Sequence, residues 1–478
     1  MKMYNMVSQN GGMFMSKKCA LILAAGDGNR MKTSKPRVMA EVLFKPMIDW
    51  VTAAVKAGGV DEICVVTGHC HEQLEDYLGD GFEFAVQSER LGTGHAVMQA
   101  KDFIKANTPG DILILNGDSP LIDAKTISTA YEYHLSHKNA VTIISAKIDK
   151  PEGYGRIIRN KNKCLKKIVE ENDATTAEKM IDEVNSGAYW FNCSVLLEAL
   201  EGIAEIHDKK QQAEYYLTDA IEVILAKNLN AVAYETGHPE AVLGANDRVQ
   251  LQQLNEIARK RVMYDLMKNG VSIPCADGVM IGTDVKIGAE TEILPGTIIK
   301  GNTVIGEGCV IGPNSLIEDS VIEDNVTLNN VQCFSSTVKR NAQIGPFARI
   351  RPDCVIGEGV KAGNFVEFKN ATIGDRTSVS HLSYIGDADF GAEVNVGCGC
   401  ATVNYNGREK NRTRVEDHAF IGCSTYLVAP VSVGENAYTA AGSVITEDVP
   451  ANSLAIARAR QSVKKDWINK KKPYKWQK

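Results

Sequence analysis

Aromatic side chains are scarce in this chain, at 6% of 478 residues. Large rings are therefore not its main packing material; isoleucine, valine and small residues must fill narrow spaces instead. No run reaches eighteen apolar residues, so no transmembrane helix is indicated. The N-terminus lacks the apolar core of a signal peptide. The net charge of −6 gives no electrostatic reason to expect a nucleic-acid partner. The twelve cysteines include no Cys-X-X-Cys pair, and the single residue between Cys398 and Cys400 does not fit a zinc knuckle. Scattered cysteines of this kind are expected as reduced thiols in a cytoplasmic protein, some filling core sites. Hydrophobic residues, at 44%, are ample for buried cores, and the length suggests about three domains.

What the chain has in excess is a period. From Ile281 to Ile317, isoleucine recurs every six residues: Ile281, Ile287, Ile293, Ile299, Ile305, Ile311, Ile317. Four residues after each of the first six stands a small or β-branched residue: Val285, Thr291, Thr297, Thr303, Cys309 and Ser315. Glycine follows four of the isoleucines, at Gly282, Gly288, Gly306 and Gly312. A period of six is not helical and is too interrupted for long strands. It fits a solenoid of short strands, one per hexapeptide, with one apolar residue stacked inside each face. The pattern returns at Ile344, Ile350 and Ile356, at Ile373, Val379 and Ile385, and at Ile421, Leu427, Val433 and Ile445. Its register loosens between Gly397 and Glu416, where polar Asn404–Arg414 predicts a loop thrown out from a coil.

The first half is organised differently. Residues 17–247 alternate apolar runs (Cys19–Ala25, Glu62–Thr67, Ile112–Leu115, Ala140–Ala146) with helix-like segments, which predicts an α/β domain with a mainly parallel sheet. A linker helix is expected over 248–270, with Val249, Leu251, Leu254, Ile257, Ala258, Val262 and Leu266 on one side and Gly270 as its stop. The solenoid then occupies 271–460. Residues 1–16, with five methionines, read as an extension, and 461–478 as a basic tail with seven lysines from Lys464 onward.

Two strand ends carry chemistry. Strand Cys19–Ala25 runs into Gly26-Asp27-Gly28-Asn29-Arg30-Met31, a glycine turn whose N–H groups can approach phosphate while Arg30 adds charge. It is neither a P-loop nor the dinucleotide fingerprint, since no Gly-Lys-Ser/Thr follows and Met31 holds the third glycine position. Strand Ile112–Leu115 runs into Asn116-Gly117-Asp118, placing a carboxylate where open α/β sheets bind ligands. There it can cap the next helix or hold Mg²⁺ beside phosphates. The segments at Gln87 with Leu91–His95, Gly153–Arg156, Val169-Glu170, Asn185–Gly187 and Gly244–Arg248 are each ordinary turn chemistry when taken singly.

Taken together and in order, Leu23-Ala24-Ala25-Gly26, Gln87 with Leu91–His95, Gly117-Asp118, Gly153–Arg156 and Tyr215–Asp219 resemble the sugar-nucleotide pyrophosphorylases. With hexapeptide repeats behind them, the chain resembles the bifunctional N-acetylglucosamine-1-phosphate uridylyltransferase/glucosamine-1-phosphate acetyltransferase family, from Lys17 to about Trp467. The resemblance implies a Rossmann-like nucleotidyltransferase domain and a left-handed parallel β-helix. It implies acetylation of glucosamine 1-phosphate by acetyl-CoA, then uridylyl transfer from UTP with release of pyrophosphate. The product, UDP-N-acetylglucosamine, feeds peptidoglycan, lipopolysaccharide or other cell-wall precursors. By the family's pattern, Leu23, Ala24, Ala25 and Gly26 hold the nucleotide phosphates. Gln87, Gly92 and Thr93 read the uracil, Gly155, Glu170 and Asn185 bind the sugar, and Asp118 and Asn246 hold Mg²⁺. Where the family has Pro-Lys-Val-Leu, with a phosphate-contacting lysine, this chain has Pro36-Arg37-Val38-Met39. Arginine keeps the charge in a wider planar donor, and Lys35 and Lys45 are further cations nearby in sequence.

In the second half, Asn364–Lys369 and His381–Asp387 resemble the family's acetyltransferase motifs. His381 stands two residues past hexad position Val379, off the buried row. The resemblance makes it the general base, with Glu367 a candidate to orient it. Arg351, Lys369, Tyr384 and Asn395 bind the amino-sugar phosphate. Cys398, Asn404, Tyr405, Cys423, Ala441 and Arg458 lie along acetyl-CoA. Cys398 and Cys423 replace the family's usual alanine and serine. Lys464 either approaches the phosphates of coenzyme A or belongs to a solvated end. A homotrimer is implied by family analogy alone. Two rivals are weighed: a single-activity nucleotidyltransferase with a structural β-helix, which a His381 context without Asn364, Lys369 and Tyr384 would favour, and a sensor with a decayed pocket, which would lack Asp118 or Asn246, both present.

Overall fold

The computed structural model describes residues 17–68, 70–210, 214–473 and 475–476; the expected extension 1–16 lies outside them. The chain forms two compact units, 1–258 and 259–478, so their division falls inside the helix Arg248–Lys268. On that helix Leu251, Leu254 and Ala258 are buried, but Val249 is exposed, contrary to the expected apolar side. No helix among the described residues is long and apolar enough to cross a membrane. All twelve cysteines are free thiols.

In the first unit, the main sheet has the order Ala231–Glu235, Val141–Lys147, Glu183–Asn192, Gly110–Asn116, Lys17–Leu23, Glu62–Thr67, Glu83–Val86. Every pairing along this path is parallel except those made by Glu183–Asn192, which runs against both neighbours. The central strands are apolar on both faces: Ala20 and Ile22 look into one buried cluster, Cys19 and Leu21 into another. Continuous apolar runs are what a sheet covered by helices on both faces requires.

The second unit is a solenoid of short parallel strands with a coil of about eighteen residues, three hexapeptides to the turn, so each residue stacks on its counterpart one coil later. One buried column runs Ile281, Ile299, Ile317, Cys333, Ile350, Phe368, Ile385. A second runs Ile287, Ile305, Ile322, Val338, Ile356, Ile373, Phe390. The third is set by Ile293, Ile311, Leu328, Ile344, Ala362, Val379, Val396, Ile421. Truncating one buried isoleucine to alanine in such a column costs about 2–5 kcal/mol. The interleaved residues Val285, Thr291, Thr297, Thr303, Cys309 and Ser315 are buried as well. Thr291 shows how a buried hydroxyl is satisfied: it donates to the Gly306 carbonyl (2.8 Å) and accepts from the Cys309 N–H (3.0 Å). Gly288 is required by close approach, since a Cβ there would lie 2.7 Å from the Gly306 backbone of the next coil. The expected loop leaves after strand Ala401–Val403 and ends at Arg412, because Thr413–Val415 is already strand.

Candidate active sites

In the first unit, Leu23 and Asn116 end neighbouring parallel strands, and the Gly117 N–H donates to the Leu23 carbonyl (2.9 Å). The turn after Leu23 and the Gly117-Asp118 segment therefore leave the same sheet edge. Asn246 reaches it from far along the chain. The Ala245 N–H donates to the Asp118 carbonyl (3.1 Å), and the Asn246 N–H to Gln250 Oε1 (2.7 Å). Asp247 then caps the helix by accepting from the N–H groups of Val249 and Gln250, both at 2.9 Å.

Arg37 closes this cluster. Its Nη2 lies 2.7 Å from Asp118 Oδ2, and its Nη1 donates to Asn246 Oδ1, also at 2.7 Å, across 209 residues of sequence. Its guanidinium lies on the glycine turn, where a Cβ on Gly26 would come within 2.5 Å of Nη2. A cavity of 380 Å³ opens here, and Leu23, Arg30, Arg37, Thr93, Asp118, Gly155, Glu170, Asn185 and Asn246 all line it. Lys35 and Lys45 do not.

Gly155, Glu170 and Asn185 are brought together as one wall. The Asn185 N–H donates to the Gly155 carbonyl (2.8 Å), and a Cβ on Gly155 would stand 3.3 Å from Glu170 Oε2. Burial pushes the Glu170 carboxyl above the ordinary carboxylate value; the Thr218 hydroxyl, donating to it at 2.8 Å, opposes that rise, and the Asp219 carboxylate adds to it. Asn185 also donates to the Tyr189 hydroxyl (2.6 Å). The sequence reading did not single out Tyr189, although it lies two residues past Gly187 on the same strand. Nor did it single out the lining residue Asn116, which immediately precedes Gly117-Asp118.

Five of the expected nucleotide residues stand apart. Ala24, Ala25, Gly26, Gln87 and Gly92 do not line the 380 Å³ cavity. Gln87 instead faces a separate 570 Å³ cavity that Gly68, Val86 and Arg90 also line. Its amide donates to the Gly92 carbonyl (3.0 Å) and lies 3.1 Å from His95 Nδ1. It thus fixes the loop that carries Thr93. The same loop is zipped to Tyr215–Leu217: Gly94 N–H to Tyr215 O and Tyr215 N–H to Leu91 O, each 2.7 Å, and Leu217 N–H to Thr93 Oγ1 at 3.0 Å.

In the second unit, His381 ends the strand Ser378–His381 and pairs in register with Asn364 one coil earlier. Its Nδ1 lies 2.9 Å from Asn364 Oδ1, a contact in which an Nδ1–H can donate to the amide oxygen, and the residue is exposed. The expected orienting partner is thereby corrected. Glu367 is engaged by Arg351, which donates to it at 3.1 Å, and Asn364 is the residue in contact with the imidazole. Asn364 sits at the matching register one coil away, a signal the eighteen-residue stacking supplies.

On the adjoining face, Lys369, Tyr384 and Asn404 gather around Asp387. That carboxylate accepts from Lys369 Nζ (3.1 Å), from Asn370 Nδ2 (2.7 Å) and from Asn404 Nδ2. Burial would raise the Asp387 pKa, but the donors Asn370, Lys369 and Asn404 outweigh it and hold the carboxyl below its ordinary value. Asn404 also reaches the Tyr384 hydroxyl (3.4 Å). Asn395 is elsewhere, on the face that carries His381, paired with Ser378 and Phe420.

Of the residues expected along acetyl-CoA, Cys398, Cys423, Ala441 and Arg458 follow one edge of the solenoid, while Asn404 belongs to the Asp387 cluster. Backbone bonds step down it: Gly399 N–H to His381 O (3.4 Å), Ser424 N–H to Cys398 O (2.7 Å), and Gly442 N–H to Cys423 O (2.8 Å). Arg458 follows, its Cδ 3.8 Å from where a Gly442 Cβ would lie. Cys423, Ala441 and Arg458 are exposed. Tyr405 stands on the extruded loop with its hydroxyl donating to the Gly407 carbonyl (2.8 Å). Lys464 is exposed, just ahead of the short helix Trp467–Lys471.

Residues 19–249 match the nucleotidyl transferase family, 284–319 the bacterial transferase hexapeptide (six repeats) and 412–447 the hexapeptide repeat of succinyl-transferase. A protein named bifunctional protein GlmU from Acetivibrio thermocellus is 46% identical over 452 residues, covering 95% of this chain and 97% of that one. Proteins of the same name from Caldanaerobacter subterraneus subsp. tengcongensis and Halalkalibacterium halodurans are 47% and 44% identical. They cover 96% of this chain and 99% and 100% of their own.

Proposed function

The chain belongs to the GlmU family of bifunctional proteins, and from that premise we propose how its two units divide the synthesis of UDP-N-acetylglucosamine. It is a bifunctional transferase, a uridylyltransferase in its nucleotidyltransferase part and an acetyltransferase in its hexapeptide part. The functional limits are 17–247 and 271–460, joined by the helix.

In the second unit, the amine of glucosamine 1-phosphate attacks the thioester carbonyl of acetyl-CoA. A new C–N bond forms, the C–S bond breaks, and the amine proton passes to His381 Nε2 and on to the departing thiolate. The observation that carries this reading is the Asn364–His381 contact: with Nδ1–H donating to the amide oxygen, Nε2 of the exposed imidazole is the nitrogen left to take the proton. Arg351, Lys369 and Tyr384 supply cations and a hydroxyl for the sugar phosphate, together with Asn395. Acetyl-CoA lies along the edge of Cys398, Cys423, Ala441 and Arg458, with Asn404 and Tyr405 at its side.

In the first unit, N-acetylglucosamine 1-phosphate and the phosphates of UTP meet in the 380 Å³ cavity, with the uracil reaching the neighbouring loop of Gln87 to Thr93. Leu23–Gly26 and Arg30 face the phosphates, Gln87, Gly92 and Thr93 the uracil, and Gly155, Glu170 and Asn185 the sugar. Asp118 and Asn246 offer two oxygen donors that already share one cation, the Arg37 guanidinium. That donor set suits Mg²⁺, a hard ion completed by water and phosphate oxygens. When bound, the ion supplies charge neutralisation to the triphosphate. The assembly is a homotrimer by family analogy, and the exposed, stacked rings of Phe347 and Phe365 on successive coils offer an apolar patch for contact with another copy.

The test is incubation with glucosamine 1-phosphate, acetyl-CoA, UTP and Mg²⁺, following free thiol and pyrophosphate separately. Both are expected. Pyrophosphate released from supplied N-acetylglucosamine 1-phosphate, without thiol from glucosamine 1-phosphate, reduces the solenoid to a structural role.

A further inference from the structure

Arg37 occupies the place between the two oxygens assigned to the metal. Its two terminal nitrogens each take one of them, at 2.7 Å from Asp118 Oδ2 and 2.7 Å from Asn246 Oδ1. The guanidinium fork suits this double contact; a lysine ammonium, a single point charge, would not match it as a planar fork. A divalent ion drawn to the same amide oxygen would face a full positive charge at hydrogen-bond distance. The arginine is also imperfectly held. Its Nε is buried without a hydrogen-bond partner, which costs free energy in this position and favours release when a better acceptor arrives. That acceptor has a place to come from, because the guanidinium lies against Gly26, on the turn that faces the nucleotide phosphates.

We propose that Arg37 is a built-in competitor of the divalent cation: in the free enzyme its guanidinium holds Asp118 and Asn246, and an incoming nucleoside triphosphate draws it off and opens them to the metal. The proposal rests on the reading of Asp118 and Asn246 as metal-holding residues. Its consequence is an order of binding in which the cation enters with or after the nucleotide. The coupling is reciprocal, so the metal must also tighten the nucleotide.

The probe is Mn²⁺ binding to the full-length, nucleotide-free chain, read by electron paramagnetic resonance of the free ion. Arg37→Met, which keeps length and loses charge, should bind Mn²⁺ at least about tenfold more tightly than the unsubstituted protein, within the range of ordinary coupling between sites. Arg37→Lys, the gentler change should methionine disturb folding, should shift affinity in the same direction by less. Adding Asp118→Asn to either variant should abolish the gain. If Arg37→Met and Arg37→Lys both bind Mn²⁺ no better than the unsubstituted protein while Asp118→Asn still weakens binding, the competitor role is overturned and the metal assignment stands. If Asp118→Asn leaves Mn²⁺ binding unchanged in every background, the metal assignment itself fails and takes the proposal with it.

Discussion

The two sites hold their charges in opposite ways. In the first unit, Arg37 and Asp118 pair inside a cavity, their side chains 18% and 12% exposed, and Arg37 also binds Asn246. In the second, Arg351 and Glu367 pair on an open coil at 38% and 36%, and His381 stands at the solenoid's edge. The cavity is made by chain segments that meet only because the sheet brings them together. The edge is made by stacking, one residue per coil. An enclosed site lets a few charges act strongly through low dielectric. An open edge must rely on correct placement of individual groups. The difference predicts that damage stays within one site, and that it is severe in the cavity for charge changes and in the solenoid for loss of a particular functional group.

The largest expected effect is on the solenoid. His381→Ala should lower acetyl transfer by about 10²–10⁴-fold, the usual contribution of a positioned base. Thiol release by the variant measures this, and pyrophosphate release from supplied N-acetylglucosamine 1-phosphate should stay normal. Near-normal thiol release at neutral pH would remove His381 from the role of base. Next comes the cavity. Asp118→Asn keeps the shape and removes the charge, and should lower pyrophosphate release by about 10²–10³-fold, as loss of a preorganised electrostatic group does. Thiol release should be unaffected. Equal loss of both activities would erase the contrast between the sites.

The same contrast governs what the sequence made visible. The solenoid was legible because its geometry is its period. Isoleucines six apart marked the three buried columns, and the small residues between them proved buried. His381 was legible as a residue off the buried row. Its partner was not, because Glu367 is nearer in the written motif's chemistry, whereas Asn364 is the residue set opposite His381 by coil stacking. In the first unit, strands and glycine turn were plain from apolar runs, and the exposure of Val249 shows how poorly helical spacing alone assigns a buried face. Asp118 was legible as a carboxylate at the end of an apolar strand, whereas Asn246 drew attention only through resemblance. Nothing in the local sequence says that Arg37 joins them, since that contact depends on a sheet edge and a helix cap meeting across the fold.

A smaller effect concerns Asp387, which accepts from Lys369, Asn370 and Asn404 together. Asp387→Asn would turn an NH₂ group toward donors that need an acceptor, at a cost of about 1–3 kcal/mol in stability. The loss should depend on pH. Because these donors hold the folded carboxyl below its ordinary value, the anion is favoured in the folded state. The stabilisation is therefore complete above the unfolded carboxylate value and disappears as pH falls through the folded one. Denaturant melts at pH 7 should separate the two proteins most, and the separation should begin to shrink as pH falls through the ordinary carboxylate value, about 3.9, and go on shrinking below it. A constant separation across that range would mean that packing, not charge, holds the cluster.

The smallest effect tests whether the open edge depends on orientation. Asn364 touches His381 through one hydrogen bond of 2.9 Å and is placed beside it by strand register. Its proposed work is to hold the imidazole with Nδ1 protonated and Nε2 toward the substrate. A single hydrogen bond of about 0.5–1.5 kcal/mol corresponds to about twofold to tenfold in rate, and Asn364→Leu should lower kcat for acetyl transfer by that much. The KM for acetyl-CoA should not change, because the edge of Cys398, Cys423 and Ala441 is untouched. Asn364→Asp restores an oxygen acceptor at the same position and should recover most of the rate. A purely packing role predicts otherwise: the charged, less apolar aspartate should then be at least as harmful as leucine. Recovery by aspartate together with loss by leucine would identify orientation of the base, rather than burial around it, as what this open site requires of its neighbours.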